Sequence, residues 1–190
     1  MALGDSVVGI CNTALIALRE QPIASLNDAT KAAALCASEY DKVRRAVLRD
    51  HPWGCAKMRA ALPASATAPL STYSYDYPLP VNYLRLIDLP DLTSPEWTIE
   101  GRSILANADA PLNILYISDL TDPSMFDALL ARHIAFALAY AIGPSLVQSE
   151  EILARVQQET QRIADSSKLI TSQEASVREW DEDIWLRARQ

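Results

Sequence analysis

Along four stretches of the chain, apolar residues recur at intervals of three and four, the period of a helix with one buried face. In the first, near 6–19, Val7, Ile10, Cys11, Ala14, Leu15 and Leu18 share a face, Asp5 or Ser6 can cap the start, and Gln21-Pro22 stops the run. The second, near 29–50, carries Leu35, Cys36, Tyr40, Val43 and Val47 behind a cap at Asp28 or Thr30. His51-Pro52 ends it, because the residue before proline is pushed out of the α region. The link Ile23–Asn27 is short, so these two helices are predicted to return antiparallel as a hairpin. Thr121-Asp122-Pro123 signals a third helix over 123–142, apolar on more than one face and therefore central, with Gly143-Pro144 closing it. A fourth, near 149–170, is apolar only at Ile152, Val156, Ile163 and Ile170 and is predicted to lie outside.

Between the second and third helices the period changes to two. Tyr73, Tyr75 and Tyr77 alternate, Tyr83–Leu89 reads as extended, and Trp97–Glu100 with Ser103–Leu105 flank a Gly101-Arg102 turn. Leu112–Ile117 reads as a last strand, while Ala60–Thr72 is small, proline-bearing and aperiodic, a connector. The predicted fold is mainly α: an antiparallel bundle of about four helices with a small antiparallel β-sheet inserted at about 73–117. Residues 1–171 form one domain, and 172–190 an extended C-terminal tail with no persistent period.

That tail changes the picture because it carries Trp180 and Trp185 around Asp181-Glu182-Asp183, followed by Arg187 and Arg189. Tryptophan and arginine are enriched at binding hot spots, so the tail reads either as a docking arm or as a strap packed on its own bundle. Composition, at 49% apolar and 22% charged, is that of an ordinary globular protein, and a net charge of −7 argues against a sequence-reading nucleic-acid binder. The charge is uneven: from Ala64 to Pro123, eight acids face two bases, a balance of −6.

Sites for chemistry are scarce. Three cysteines without C-x-x-C spacing predict no disulfide framework, and Cys11 and Cys36 read as small buried hydrophobes. No basic leader precedes the first apolar run and none is expected to span a membrane, which points to a reducing compartment, the cytoplasm by default. His51 and Cys55 stand four apart, a spacing for a shared metal or a nucleophile–base pair. A zinc site needs three or four ligands, and the commoner reading is a helix-end histidine and a buried thiol. His133 falls in the buried helix, where a hydrogen-bonded core histidine is the usual outcome. Neither an enzyme activity nor a cofactor is expected.

Three stretches carry a resemblance: Ile10–Leu15; Ile23–Leu26 with Asp28; and Tyr40–Arg49 running into His51-Pro52-Trp53. With Tyr77–Pro80, Tyr83–Arg85 and the Trp97–Arg102 hairpin, they resemble the head-to-tail adaptor family of tailed bacteriophages, the tail tubular protein A type. These are hydrophobic and turn patterns, not a catalytic fingerprint. The resemblance implies a virion structural protein made in the host bacterial cytoplasm and placed at the head–tail junction. It implies a dodecameric ring beneath the portal protein, with a tail or nozzle protein below and double-stranded DNA passing through the lumen. An acidic protein suits such a passage, since each lysine or arginine on a phosphate adds affinity that would slow sliding. The candidate portal or subunit interface is Trp180, Trp185, Arg187 and Arg189 on the tail, with Arg44, Arg45 and Arg49 on the second helix. The alternative is a small helical regulatory or chaperone-like adaptor with no virion role.

Overall fold

The computed structural model describes residues 6–92 and 97–174, with side chains through residue 170. Its helices are α1 (Val7–Ala17), α2 (Lys31–Asp50), α3 (Ala128–Leu146) and α4 (Glu150–Glu174). Ser6 caps α1 by accepting from the Gly9 N–H at 3.0 Å, and Thr30 caps α2 by accepting from Ala33 at 3.1 Å. Asp28, the other capping candidate, instead ties the loop, its carboxylate accepting from Ala24 and Ser25 at 2.8 and 3.1 Å. α1 closes with paired bonds from Glu20 N–H to the Leu15 carbonyl and from Arg19 N–H to that of Ile16, which puts Arg19 at φ 62°.

Two helix boundaries differ from expectation. Pro123–Met125 forms only a 3₁₀ turn capped by Asp122, and α3 starts five residues later, where Asp127 accepts from the Leu129 N–H at 2.8 Å. At its other end α3 runs through Gly143-Pro144. The donor that proline lacks falls in the last turn, and Gly143 has no Cβ to restrict it before proline. A Cβ there would stand 2.7 Å from a Leu153 methyl and 3.1 Å from one of Leu18, so the glycine also lets α1 and α4 approach α3 closely. α3 is central, as its pattern implies, with α1, α2 and α4 all packed on it. The predicted hairpin is looser than expected: α1 and α2 touch at Cys11 and Cys36, while each packs chiefly on α3. By length and composition alone, α3 at mean hydropathy 1.3 is apolar enough to cross a membrane, an exception to the expectation that no run would be.

The mainly-α expectation is corrected by the strands. Six are described: β1 (Lys57–Leu62), β2 (Tyr75–Pro78), β3 (Tyr83–Asp88), β4 (Trp97–Glu100), β5 (Ser103–Ala106) and β6 (Leu112–Ser118). They form two three-stranded antiparallel sheets, β1-β6-β3 and β2-β5-β4. With 48% helix and 19% strand, the fold is a mixed α and β one and not a bundle bearing one small sheet. β1 was hidden because an edge strand is specified by its neighbour. Lys57–Leu62 shows no alternation, yet it pairs with β6 residue for residue from Lys57↔Ile117 to Leu62↔Leu112.

The first sheet is a middle layer. On β6, Leu112, Ile114 and Tyr116 turn to one side and join Leu62, Tyr77, Ile104 and Ala106 in a core shared by both sheets. Ile117, of opposite parity, joins the helical core. β3 does the same with a twist in its register. Tyr83 and Leu86 pack with the sheets while Leu84 and Ile87 pack with the helices, a three-residue spacing that two bulges opposite β6 make compatible with a strand. At the β4–β5 turn, Gly101 takes φ 58°, the left-handed value expected of the glycine opening that turn.

Candidate functional site

α2 presses its basic second half on the middle sheet and on the strand-to-helix link after β6, and the three arginines singled out there have different fates. Arg44 follows Tyr40 by four residues and so falls on the apolar stripe, 1% exposed. Its guanidinium donates to the Asp119 carboxylate, to the Leu120 carbonyl at 2.6 Å, and to Asp41 at 3.3 Å. Arg45, more than half exposed, meets the second Asp119 oxygen at 2.9 Å, so one carboxylate bridges two consecutive arginines. Arg49 donates to the Leu84 carbonyl on β3 at 2.5 Å. In return, Arg85 donates to the carbonyls of Arg49 and Asp50 at 2.8 and 2.9 Å, closing the last turn of α2. Arg44 thus presents no surface to a partner, while Arg45 and Arg49 keep exposed flanks. The legible signal was position: a charge in register with Cys36, Tyr40 and Val47 must find a partner inside.

Trp180, Trp185, Arg187 and Arg189 lie outside the described residues.

Beyond α2, His51, Trp53 and His133 form a buried edge-to-face series, with ring centroids 4.8 Å apart for His51–Trp53 and 5.8 Å for Trp53–His133. The Trp53 indole N–H donates to the Val47 carbonyl at 3.0 Å. Burial holds both imidazoles below their ordinary value, and for His133 the nearby His51 adds to the effect. His133 was expected to be hydrogen-bonded, yet its Nδ1 is buried without a partner. The ring packs edge to face against Trp53. Sequence spacing paired His51 with Cys55, while the fold pairs it with Trp53 and His133, two partners brought together only when α3 crosses the end of α2.

Cys55 instead lines a cleft of about 290 Å³ with Trp53, Phe126, Leu129, Ser167 and Ile170. Among the described residues no group of three or more histidine, cysteine or acidic side chains is close enough to hold a metal. Cys11 and Cys36 meet thiol to thiol in the helical core. The hydrogen bond to Cys36, and then burial, hold the Cys11 thiol far above its ordinary value. Tyr40, beside them on α2, is pushed up to about 12 by burial, and its hydroxyl has no partner. Cys11 and Tyr40 are thereby held as neutral packing units.

What the arrangement can do is mechanical. Ser118, donating to the Ala56 carbonyl at 3.0 Å, fastens the end of β6 to the turn before β1, while the contacts of Arg44, Arg45, Arg49 and Arg85 run between the helical layer and the middle sheet or its link. Such ties hold two layers in one orientation. No protein-family model matches the chain, and no curated protein matches it.

Proposed function

We propose that this chain is a virion structural protein without catalytic chemistry. In this reading it is a head-to-tail adaptor whose copies form a ring, dodecameric by resemblance, at the head–tail junction, between the portal protein and a tail or nozzle protein. Double-stranded DNA passes through the lumen without specific recognition. The observation that carries the reading is a cross-braced body with two unlike faces. One face is helical, with exposed Arg132, Arg155 and Arg162 among Glu150, Glu151 and Asp165, and the other is β, with exposed Asp91, Glu100 and Asp109 among Lys57, Arg59 and Arg102. A closed ring of identical subunits needs two different complementary faces held at a fixed angle, because an error in that angle accumulates around the circle. Bracing of α2 onto the sheet by four arginines supplies the fixed angle. The stretches that carry the resemblance fall on α1, the loop after it, α2, β2, β3 and the β4–β5 hairpin, and among these α2 and β3 carry the braces.

The test mixes the purified chain with a candidate portal protein and images the product by electron microscopy, with light scattering of the chain alone alongside. A ring seated on the portal is expected. A chain that stays monomeric or dimeric and leaves the portal bare across the candidates overturns the reading.

A further inference from the structure

A groove between α3 and α4 gathers three arginines in a chain of net charge −7: Arg132 on α3, and Arg155 and Arg162 on α4. It encloses about 370 Å³ and is floored by Phe136 and Val156. Its one acid, Glu159, is reached by Arg162 at 3.4 Å and by Arg132 at 3.9 Å, and Arg155 makes no ion pair with any described residue. The Arg132 guanidinium stands 5.6 Å from the centre of the Phe136 ring. Exposed apolar side chains flank it. Ile16, adjoining the groove residue Ala17, is 61% exposed, and Tyr140, one turn beyond Phe136, is 52% exposed. An occupant of this surface would bring several carboxylates and large rings, the rings to lie on guanidinium planes and on the exposed apolar flanks.

The chain contains a segment of that composition. Glu179-Trp180-Asp181-Glu182-Asp183-Ile184-Trp185 has four acids, two tryptophans and no base. We propose that this segment of one copy docks in the α3–α4 groove of the next copy, its carboxylates on Arg132, Arg155 and Arg162 and its indoles against Phe136 and Tyr140. The inference rests on the ring reading and names the surface on which successive subunits grip. Reach favours the neighbour over the segment's own chain. From Glu174, Arg155 lies about 28 Å back along α4 at roughly 1.5 Å per residue. The acids begin five residues past Glu174, at Glu179, and end nine past it, at Asp183. Fully extended chain covers about 3.4 Å per residue, so in the same copy Glu179 falls just short of Arg162, about 18 Å back, and Asp183 reaches Arg155 only with almost no residues left for the reversal of direction.

The experiment uses full-length chain with Trp180 replaced by the photo-crosslinker benzoylphenylalanine, mixed as isotopically light and heavy copies, irradiated and mapped by mass spectrometry. Light–heavy cross-links landing within residues 132–140 or 155–162 are expected. They should fall about tenfold or more in Arg155→Glu/Arg162→Glu, consistent with loss of several charge-assisted contacts at once. Adding Asp181→Lys, Glu182→Lys and Asp183→Lys to that variant should restore them. Circular dichroism and melting of each variant separate misfolding from lost docking, and the charge-swapped chain carries the decision if the reversed one is unstable. Cross-links confined to one copy, or placed on the cleft beside Met125 and Ile170, overturn the inference. So does an unchanged yield after charge reversal. With portal present, cross-links that move onto the portal beneath an intact ring overturn the groove assignment and leave the adaptor reading standing. Groove cross-links between copies that never seat on a portal sink the adaptor reading and keep the groove.

Discussion

Arg44 offers the sharpest test of the bracing, because it is buried while its sequence neighbour Arg45 shares the same carboxylate from the surface. Replacing Arg44 by Met keeps much of the volume and removes the charge. Asp119 then retains Arg45 at 2.9 Å, so the carboxylate is not orphaned. The Leu120 carbonyl loses a donor at 2.6 Å, which costs about 1–3 kcal/mol if nothing replaces it, and the charge-assisted bond to Asp119 contributes about another 1.5–3. Recovered apolar burial offsets part of this, leaving a net loss of about 3 kcal/mol. Asp119→Ala is the harsher change. It strands a buried guanidinium with one backbone carbonyl and the exposed Asp41, and breaking a buried pair this way costs about 3–5 kcal/mol. Arg45→Ala removes a pair screened by solvent and costs about 0–1 kcal/mol. Urea unfolding of the three variants and the parent, followed by tryptophan fluorescence, gives the ranking directly. In a chain of this size each kcal/mol moves the melting midpoint by about 2–4 °C, so Asp119→Ala should melt roughly 10 °C lower. Equal losses in Arg44→Met and Arg45→Ala, or a loss below about 1 kcal/mol in Asp119→Ala, would refute the claim that the buried guanidinium holds the layers.

Burial depresses His51 and His133, so as pH falls through about 6.5 the unfolded chain takes up protons first and the fold loses stability. Melts at pH 7.5 and 5.5 should show the drop, and His133→Phe should make it smaller. Arg19→Gly should stabilise the protein by about 0.5–1 kcal/mol in urea unfolding, since φ 62° at the end of α1 is a conformation glycine adopts without strain. Gly143→Ala should cost about 1–2 kcal/mol by the same assay despite alanine's better helix propensity, because its methyl must displace Leu153 and Leu18 and sits before a proline. An increase in stability there would mean the α1–α3–α4 junction is slack.

Four helices were legible because their cores are built on spacing alone, and caps at Ser6 and Thr30 fell on residues the sequence offered. The start of α3 was not, since Asp122-Pro123 and Asp127 carry capping chemistry at two positions, the two aspartates five residues apart, and only packing decides which turn grows. β1 left no trace in its own pattern, and the split of β3 between two cores depends on bulges that no alternation rule encodes. In the candidate site, Arg44 was readable from helical position, whereas the meeting of His51 and Trp53 with His133 required a crossing about eighty residues away in sequence.

Net charge concealed a division of labour among the arginines. Those on α2 turn to carboxylates and carbonyls of the sheet and its link, Arg44 in full burial where solvent screening is weak, Arg45 and Arg49 from the surface. Those on α3 and α4 point outward around an aromatic floor, where one glutamate is too few for three guanidinium groups. A net charge of −7 sums these populations with an acidic β section and so points away from both roles. Stiffness and adhesion make opposite demands on a cation, one needing burial with a partner of the same chain and the other exposure without one. A protein that must close a ring needs both. Their segregation onto different helices is therefore what the adaptor reading requires of the fold, and neutralising Arg155 and Arg162 should weaken assembly while leaving the melting temperature of the subunit nearly untouched.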